Sequence, residues 1–336
     1  MASAKEIQNR IKSIQDTMKI TRAMYMMSSM KLRRAKQKLE DTEPYFFGLQ
    51  KQIANILYHF PDIKHIFFDN REKDMLEVVK RKAFIVITSD KGMAGAYNHN
   101  MFKATEELCS QAQDYKLFVV GEIGRHYFRM KNLTVVDDFN FSAINPSIHR
   151  ARVITERIVE LYKNEQLDEV YLVYTKMVNS MKEEVMIDRL LPLKTHSFIE
   201  QELLEEAKKK RGNIVGDVNE QFGDKSYDDE SSSYDFGYNS SADIDYLIYP
   251  SPKKILKKLV YNYMTGFVYG ALVEANASEE NARMMAMQAA TDNASAMLHD
   301  LSIQYNRVRQ AAITQEITEV IGGAKALKKK KKKQRR

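Results

Sequence analysis

The C-terminal quarter of the chain constrains the fold most, because it predicts one uninterrupted helix from Pro252 to about Leu327. Pro252 suits the first turn of a helix, and no further proline follows it. Alanine is frequent over residues 271–296, and apolar residues then recur at helical spacings of three and four: Leu298, Leu301, Tyr305 and Val308. Such a helix would be about 110 Å long, longer than a globular domain is wide. It therefore needs a partner along its length.

The N-terminal segment, residues 1–60, predicts that partner. Its apolar residues repeat at spacings of 4, 3 and 4, which is a heptad seam: Ile7, Ile11, Ile14 and Met18. Ser3 stands three residues before Glu6, as in a capping box, and Pro44 marks a place where the helix can break. We therefore expect the two ends of the chain to form a long two-helix coiled coil. These residues alone leave open whether the helices run parallel or antiparallel.

The middle of the chain, residues 75–250, predicts a small α/β, Rossmann-like domain. Three continuous apolar runs have the length and composition of buried strands: Lys82–Asp90, Tyr115–Gly121 and Asp168–Lys176. Helical segments lie between them: Asn98–Asp114, Gly124–Met130 and Ile148–Asn164. This alternation indicates a mainly parallel sheet, and the fold class is therefore mixed α and β. Residues 208–245 include the acidic, serine-rich stretch Asp224–Asp245 and predict a flexible insertion.

Charge is distributed unevenly along the chain. Residues 1–39 carry a net charge of +8, the tail of residues 328–336 carries another +8, and the remainder carries −9. The basic ends are therefore expected to contact something negative. The N-terminus has no apolar signal segment, and the longest apolar stretch, Leu259–Val273, is too short to span a bilayer. These features predict a soluble or peripheral protein.

No pattern in the sequence predicts catalysis, a cofactor or a metal. The loop Thr88–Asn98 lies between a strand and a helix, where phosphate loops occur, but it lacks the glycine spacing of such loops. A tight turn is the default interpretation, and the same holds for Val119–Phe128 with its two glycines. The seven histidines have no metal-ligand spacing, and the single cysteine, Cys109, has no catalytic signature around it.

The segment Thr21–Leu39 combines methionines with a run of basic residues. Met24, Met26, Met27 and Met30 point to more than one helical face, so some must be exposed, as is typical of adaptable contact surfaces. The basic residues that follow form either a solvated face or a nucleic-acid-binding helix: Lys31, Arg33, Arg34, Lys36 and Lys38. A coiled-coil protein that binds nucleic acid through its basic ends is therefore an alternative function. Against it, no base-stacking aromatic residues are interleaved with the basic ones.

Three stretches together resemble the γ subunit of F-type ATP synthases: Ile7–Lys36, Ala277–Ala294 and Tyr305–Leu327. The loops "ITSDKGMAGAYNHN" and "VVGEIGRHYF" resemble the central-domain motifs of the same family. The resemblance implies a rotor, with an antiparallel coiled coil inside a ring of three α and three β subunits. It also implies that the α/β domain is a foot on the ε subunit and on the ring of c subunits, and that proton flow turns this foot. Catalytic residues would then belong to the β subunits, and this chain would be non-catalytic.

The resemblance also implies roles for single residues. Met24 would lie beside the β subunit, with Arg283 coupled to it across the shaft, and the basic block with Lys31 and Arg34 would face an acidic region of β. Four residues near the C-terminus would make coupling contacts: Arg309, Gln310, Thr314 and Glu316. Residues 252–327 would form the second shaft helix and residues 328–336 a basic tail. Location at the cytoplasmic face of a bacterial plasma membrane is expected, ahead of an organellar inner membrane.

Overall fold

The computed structural model of the chain describes residues 4–60, 63, 65–68, 80–179, 182–194, 198 and 251–334, with side chains as far as Lys325. Two long helices, α1 (Ala4–His59) and α5 (Pro252–Gln334), flank a mixed domain in the sequence. The acidic insertion predicted over residues 208–245 lies outside the described residues. None of the described helices is both long enough and apolar enough to cross a lipid bilayer.

The mixed domain contains a four-stranded sheet in the order β2-β1-β3-β4. Its elements follow one another along the chain as β1 (Arg81–Ile87), α2 (Tyr97–Ser110), β2 (Asp114–Val120), α3 (Glu122–Met130), α4 (Ile148–Lys163), β3 (Glu169–Met177) and β4 (Glu183–Leu191). The first three strands are parallel and β4 is antiparallel to β3. The predicted alternation of strands and helices is confirmed, and β4 is an additional strand.

The sheet lies between two helical layers. On one face, Phe84 and Val86 of β1 pack with residues of α2 and α3 such as Met101 and Phe128. On the other face, Ile85 and its neighbours pack against α4, the C-terminal part of α1 and the N-terminal part of α5. Because alternate residues of a strand point to opposite faces, β1 is buried on both sides. The base of the long helices is thus part of the core of the α/β domain.

The two long helices pair in antiparallel orientation. The hydroxyl oxygens of Thr21 and Thr291 lie 2.8 Å apart, and Lys31 Nζ lies 2.9 Å from Glu280 Oε1. Further along α1, the ring of Phe46 stacks on α5 at Tyr263, with centroids 5.0 Å apart. Residue numbers therefore fall along α5 as they rise along α1. The residues had left this orientation open.

The predicted weak point at Pro44 is not a break, because α1 continues through it to His59. Proline removes one backbone hydrogen bond, which disfavours a helix interior. Here the aromatic packing just beyond it compensates, since Phe46 contacts both Tyr263 and Phe267 of α5. A Cβ at Gly266 would lie only 3.2 Å from the Phe46 ring, so glycine allows the close approach of the helices. Packing between α1 and α5 therefore overrides the local preference of proline.

Helix α5 extends far beyond the start of α1. Following the antiparallel register from Thr21 to Ala4 places the first residue of α1 opposite about residue 308 of α5. Residues 309–334 therefore continue as a single helix for about 40 Å. The helix also runs into the lysine tail, past its predicted end near Leu327, and lysine is a favourable helix residue. Residues 309–334 are called the tip below.

Candidate functional site

The tip exposes a continuous apolar face. Every side chain described in it, residues 309–325, is exposed to solvent. Its large aliphatic residues recur at helical spacing and are between 48% and 72% exposed: Ile313, Ile317, Val320 and Ile321. Exposed apolar surface of this kind marks an interaction site in a soluble protein. The tip therefore presents a contact surface that no described residue of the chain covers.

Four residues predicted for coupling lie on this tip. Arg309 and Gln310 follow directly after the level where α1 begins, so they are not positions of the helix pair. The guanidinium of Arg309 lies 6.0 Å from the ring of Tyr305, and Thr314 Oγ1 donates to the carbonyl of Gln310 at 2.8 Å. Glu316 is exposed. The four thus share a stretch of accessible helix, as a contact role requires.

A second exposed surface lies on α1, among the methionines. Met26, Met27 and Met30 are between 51% and 58% exposed, whereas Met24 is half-buried between the two cross-helix contacts made by Thr21 and Lys31. On α5, further large apolar side chains are exposed: Met285, Met297 and Ile303. Methionine is flexible and polarizable, so it suits a surface that repacks against changing partners. The sequence did not single out the residues on α5.

The basic block on α1 divides into two kinds of residue. Arg34 is exposed, as are Arg33, Lys36 and Lys38. Lys31 differs, because its ammonium pairs with Glu280, whose side chain is only 4% exposed. Its charge is therefore partly neutralised within the chain. Of the residues predicted here for an external contact, Arg34 is open to a partner and Lys31 already has an internal one.

Arg283 lies at the junction of the helix pair with the α/β domain. Its guanidinium pairs with Glu279 and Glu280 on its own helix, and it donates to the carbonyl oxygens of Lys91 (3.2 Å) and Gly92 (3.4 Å). These carbonyls belong to the loop after β1. The side chain is almost fully buried, and its coupling to Met24 stays a prediction. Glu280, which joins Arg283 to Lys31, was missed; its spacing of three residues from Arg283 was the available signal.

The electrostatics of this junction follow from burial. Burial raises the pKa of Glu279, against the opposing hydrogen bond and charge of Arg283. Burial acts to lower the pKa of Arg283, but the hydrogen bond and charge of Glu279 outweigh it, so this pKa is raised. Nearby, burial raises the pKa of Glu183, whose Oε1 accepts from Asn281 Nδ2 at 3.1 Å. A buried ionised side chain is stabilised mainly by its oppositely charged and hydrogen-bonding partners.

The glycine-containing loops after β1 and β2 hold each other. The first three N–H groups of α3 donate to the loop after β1: Glu122 N to Asp90 Oδ1 (2.9 Å), Ile123 N to Ser89 O (3.2 Å) and Gly124 N to Thr88 Oγ1 (3.2 Å). A phosphate at a helix N-terminus would need such groups for itself. The first turn of α3 is therefore already satisfied by the chain, which favours the tight-turn interpretation of the loop after β2. For Thr88–Asn98, which leads into α2, the tight turn stays a prediction.

The single cysteine and the possible metal ligands also give no indication of a catalytic site. Burial raises the pKa of Cys109 to about 11, so the thiol is protonated and weakly reactive at neutral pH. Among the residues that the structure describes, no three His, Cys, Asp or Glu side chains come together in a way that could hold a metal ion. The chemistry visible in the described residues is that of contact surfaces.

Comparison with known proteins gives a consistent result over nearly the whole chain. The family model described as ATP synthase matches residues 3–327. An ATP synthase gamma chain from Acetivibrio thermocellus is 40% identical over 328 residues, which cover 98% of this chain and 100% of that one. A protein from Acetobacterium woodii named "ATP synthase gamma chain, sodium ion specific" is 36% identical over 329 residues, covering 97% and 99% of the two chains.

Among solved structures, the chain resembles the central stalk and c-ring structure of the Tetrahymena thermophila mitochondrial ATP synthase. The TM-score is 0.51 with 20% sequence identity, over 81% of this chain and 99% of that chain. At this identity the likeness concerns the fold. The relatives named above lend no support to the alternative of nucleic-acid binding.

Proposed function

This chain belongs to the family of ATP synthase gamma chains, and on that premise we propose that it is the rotating central-stalk subunit of an F-type ATP synthase. It couples rotation of the membrane c ring to ATP synthesis or hydrolysis at the β subunits. Its partners are three α and three β subunits, the ε subunit and the c ring, and it is not a homo-oligomer. The chain is non-catalytic, and we expect no cofactor or metal.

The observation that carries this proposal is the form of the tip. A single helix of about 40 Å with an exposed apolar face is only marginally stable as the end of a free-standing protein. It suits insertion into an apolar sleeve at the top of the α/β ring. Arg309, Gln310, Thr314 and Glu316 would contact the ring there, where the structure leaves their side chains accessible.

Below the tip, the two helices act as an antiparallel coiled coil that resists twisting. The exposed methionines suit a shaft that passes three equivalent β subunits in turn, because their flexible side chains can repack at each position. Met24 would lie beside the β subunit, and Arg34 and its exposed basic neighbours would face an acidic region of it. Such a contact between opposite charges forms and breaks quickly.

The base of the shaft transmits force from the foot. Ile53, Ala54 and Leu57 of α1 share one core with the sheet, and so do Leu256 and Val260 of α5. A torque applied to the α/β domain would have to disrupt this core before the domain could turn without the helices. The foot and the shaft therefore turn together. Lys31 and Arg283 would contribute to coupling through the junction and not as exposed contacts.

The membrane-associated complex would place this chain at the cytoplasmic face of a bacterial plasma membrane. Support comes from full-length relatives such as that of Acetivibrio thermocellus. We propose protons as the coupling ion, and the relative from Acetobacterium woodii makes sodium the alternative to be tested. ATP-driven transport in membrane vesicles, with and without sodium, distinguishes the two ions.

A pull-down tests the function. The tagged full chain, recovered from native membranes, is expected to carry α, β, ε and c subunits, identified by mass spectrometry. The isolated chain should hydrolyse no ATP. Recovery with nucleic acid that is lost steeply on raising the salt concentration, and without α and β subunits, would contradict the proposal.

A further inference from the structure

A group of mostly buried charges joins three parts of the molecule at one point. Glu280 of α5 contacts Lys31 of α1 through Oε1 (2.9 Å) and Arg283 through Oε2 (3.1 Å). Arg283 continues to the carbonyls of Lys91 and Gly92 in the loop after β1. The chain of contacts therefore runs from one shaft helix through the other into the α/β domain.

The apolar contacts next to this group specify register less strongly than those nearer the base of the shaft, where Phe46 packs against Tyr263 and Gly266. Near Lys31, the interface between α1 and α5 consists of small and aliphatic side chains such as Leu32, Ala35 and Ala277. Such small side chains oppose a slide of one helical turn, about 5.4 Å, less than interlocking aromatic rings do. The same slide would separate Lys31 from Glu280, so that this buried carboxylate would keep Arg283 of its own helix and lose its ion pair with α1, which is unfavourable.

We propose that Lys31, Glu280 and Arg283 form a register lock, which fixes the axial position of α1 against α5 and holds both against the loop at residues 91–92. Glu280 is the positioning residue of the lock because it alone contacts both cations. With Glu279 the group contains two acids and two bases, so its charges balance. The best-attested role of buried polar groups between helices is to fix the helix register. Their effect on the free energy of unfolding is a poor measure of that role.

The paired hydroxyls of Thr21 and Thr291 supply a reporter for the register, because they lie 2.8 Å apart in the native pairing. In the full chain with Cys109→Ala, we would combine Thr21→Cys with one of three partners on α5. Thr291→Cys reports the native register, while Met287→Cys and Ala294→Cys report a slide of one turn in either direction. Disulfide formation after mild oxidation is quantified by mass spectrometry.

With the lock intact, we expect the native pair to form and the shifted pairs to be rarer by about tenfold or more. Lys31→Met removes one charge from the exposed side of the group, and Glu280→Gln removes the central one. Each is expected to raise the yield of shifted pairs by about tenfold. Lys19→Gln breaks an exposed ion pair with Asp16 on the same helix and should leave the pattern unchanged.

Lys31→Met keeps the experiment decisive if Glu280→Gln does not fold, since the Lys31 side chain is 55% exposed and its loss creates no cavity. A folded Lys31→Met chain, judged by circular dichroism, that gives the wild-type cross-linking pattern would overturn the lock. The lock's relevance to torque depends on the proposed function, whereas the register itself does not. Failure to recover α and β subunits with a chain that cross-links as expected would therefore refute the function alone.

Discussion

At the scale of single residues, Met24 tests the contact between shaft and ring. Replacing it by lysine adds a charge at a half-buried position between the two cross-helix contacts. If the side chain lies beside an acidic part of the β subunit, the new charge forms an ion pair at a half-buried position, where solvent and salt screen it less than they screen the exposed basic block, so it breaks more slowly at each third of a rotation. We expect assembly to survive Met24→Lys and the number of ions moved per ATP hydrolysed to fall severalfold. Ion transport and ATP hydrolysis, measured in the same membrane vesicles, give this ratio.

Met130→Lys is the matched control. Met130 lies on α3 in the α/β domain, where its side chain is 71% exposed, so the same chemical change is made away from the shaft. Normal coupling in Met24→Lys, or an equal loss in Met130→Lys, would show that the assignment of Met24 is wrong.

Gly121 tests the turn between β2 and α3. Its φ is +100°, and a Cβ would lie 2.4 Å from the carbonyl oxygen of Thr88, so Gly121→Ala meets both strain and a backbone clash. We expect a loss of about 1–3 kcal/mol in the free energy of unfolding, measured by denaturant titration. Gly48→Ala lies inside α1 with nothing within 4 Å of the added Cβ, and should stabilise by about 0.5–1 kcal/mol. The two variants must therefore differ in sign.

Glu183 predicts a pH dependence. Burial raises its pKa above the ordinary value of 4.5, so its charged form penalises the folded state. This penalty is absent below the ordinary pKa and grows as the pH rises from there through the raised value. Glu183→Gln keeps an acceptor for Asn281 and removes the charge. We expect its melting temperature to exceed that of wild type at pH 7 and the difference to vanish near pH 4; a constant difference over this range would contradict the assignment.

The contacts of Arg283 show why individual contacts between distant residues could not be predicted from the sequence. The resemblance singled out Arg283, but its backbone partners, Lys91 and Gly92, lie 192 and 191 residues away along the chain. No local pattern encodes that distance. Glu280 was accessible only through its spacing from Arg283, which is also typical of an exposed ion pair. Its burial depends on the position of the whole α/β domain.

At the scale of elements, the tip can be tested by deletion. All the described side chains that are lost on removing residues 310–336 are exposed, so we expect the melting temperature of the isolated chain to change by about 2 °C or less. If the tip inserts into the ring as proposed, ATP synthesis by the complex should fall sharply, because that apolar contact would be lost. Deleting only residues 328–336 separates the effect of the basic tail from that of the apolar face. A large loss of thermal stability in the longer deletion would show that the tip packs on the chain.

Elements were predictable where one local signal dominates. Continuous apolar runs predicted β1, β2 and β3 to within one residue at their starts, and the helical spacing predicted both long helices. β4 was missed because Glu183–Leu191 carries charged residues and its burial is uneven, as in an edge strand. Pro44 gave the wrong signal, since contacts with α5 outweigh the lost hydrogen bond.

At the scale of the whole molecule, we expect protection from amide hydrogen exchange to form a gradient. The sheet and the base of the shaft, with Ile85, Phe118 and Ile53 fully buried, should exchange most slowly. The part of the helix pair between this base and the tip should exchange at an intermediate rate, and residues 309–325 should exchange fastest in the isolated chain. Exchange followed by mass spectrometry measures this order. Strong protection of the tip in the isolated chain would contradict it, and protection gained only in the complex would support the apolar sleeve.

The tip has a consequence for how this protein is made. A lone helix that carries Gly322 and Gly323 near its end is only marginally stable in water, and its aliphatic face attracts other exposed chains. Under the proposed function, contact with the neighbouring subunits would stabilise this helix during assembly. A chain synthesised before its partner subunits would expose an end that is prone to aggregation and proteolysis until those subunits cover it. We therefore expect the cell to protect this end, either by synthesising the subunits in matched amounts or by a chaperone that covers the tip.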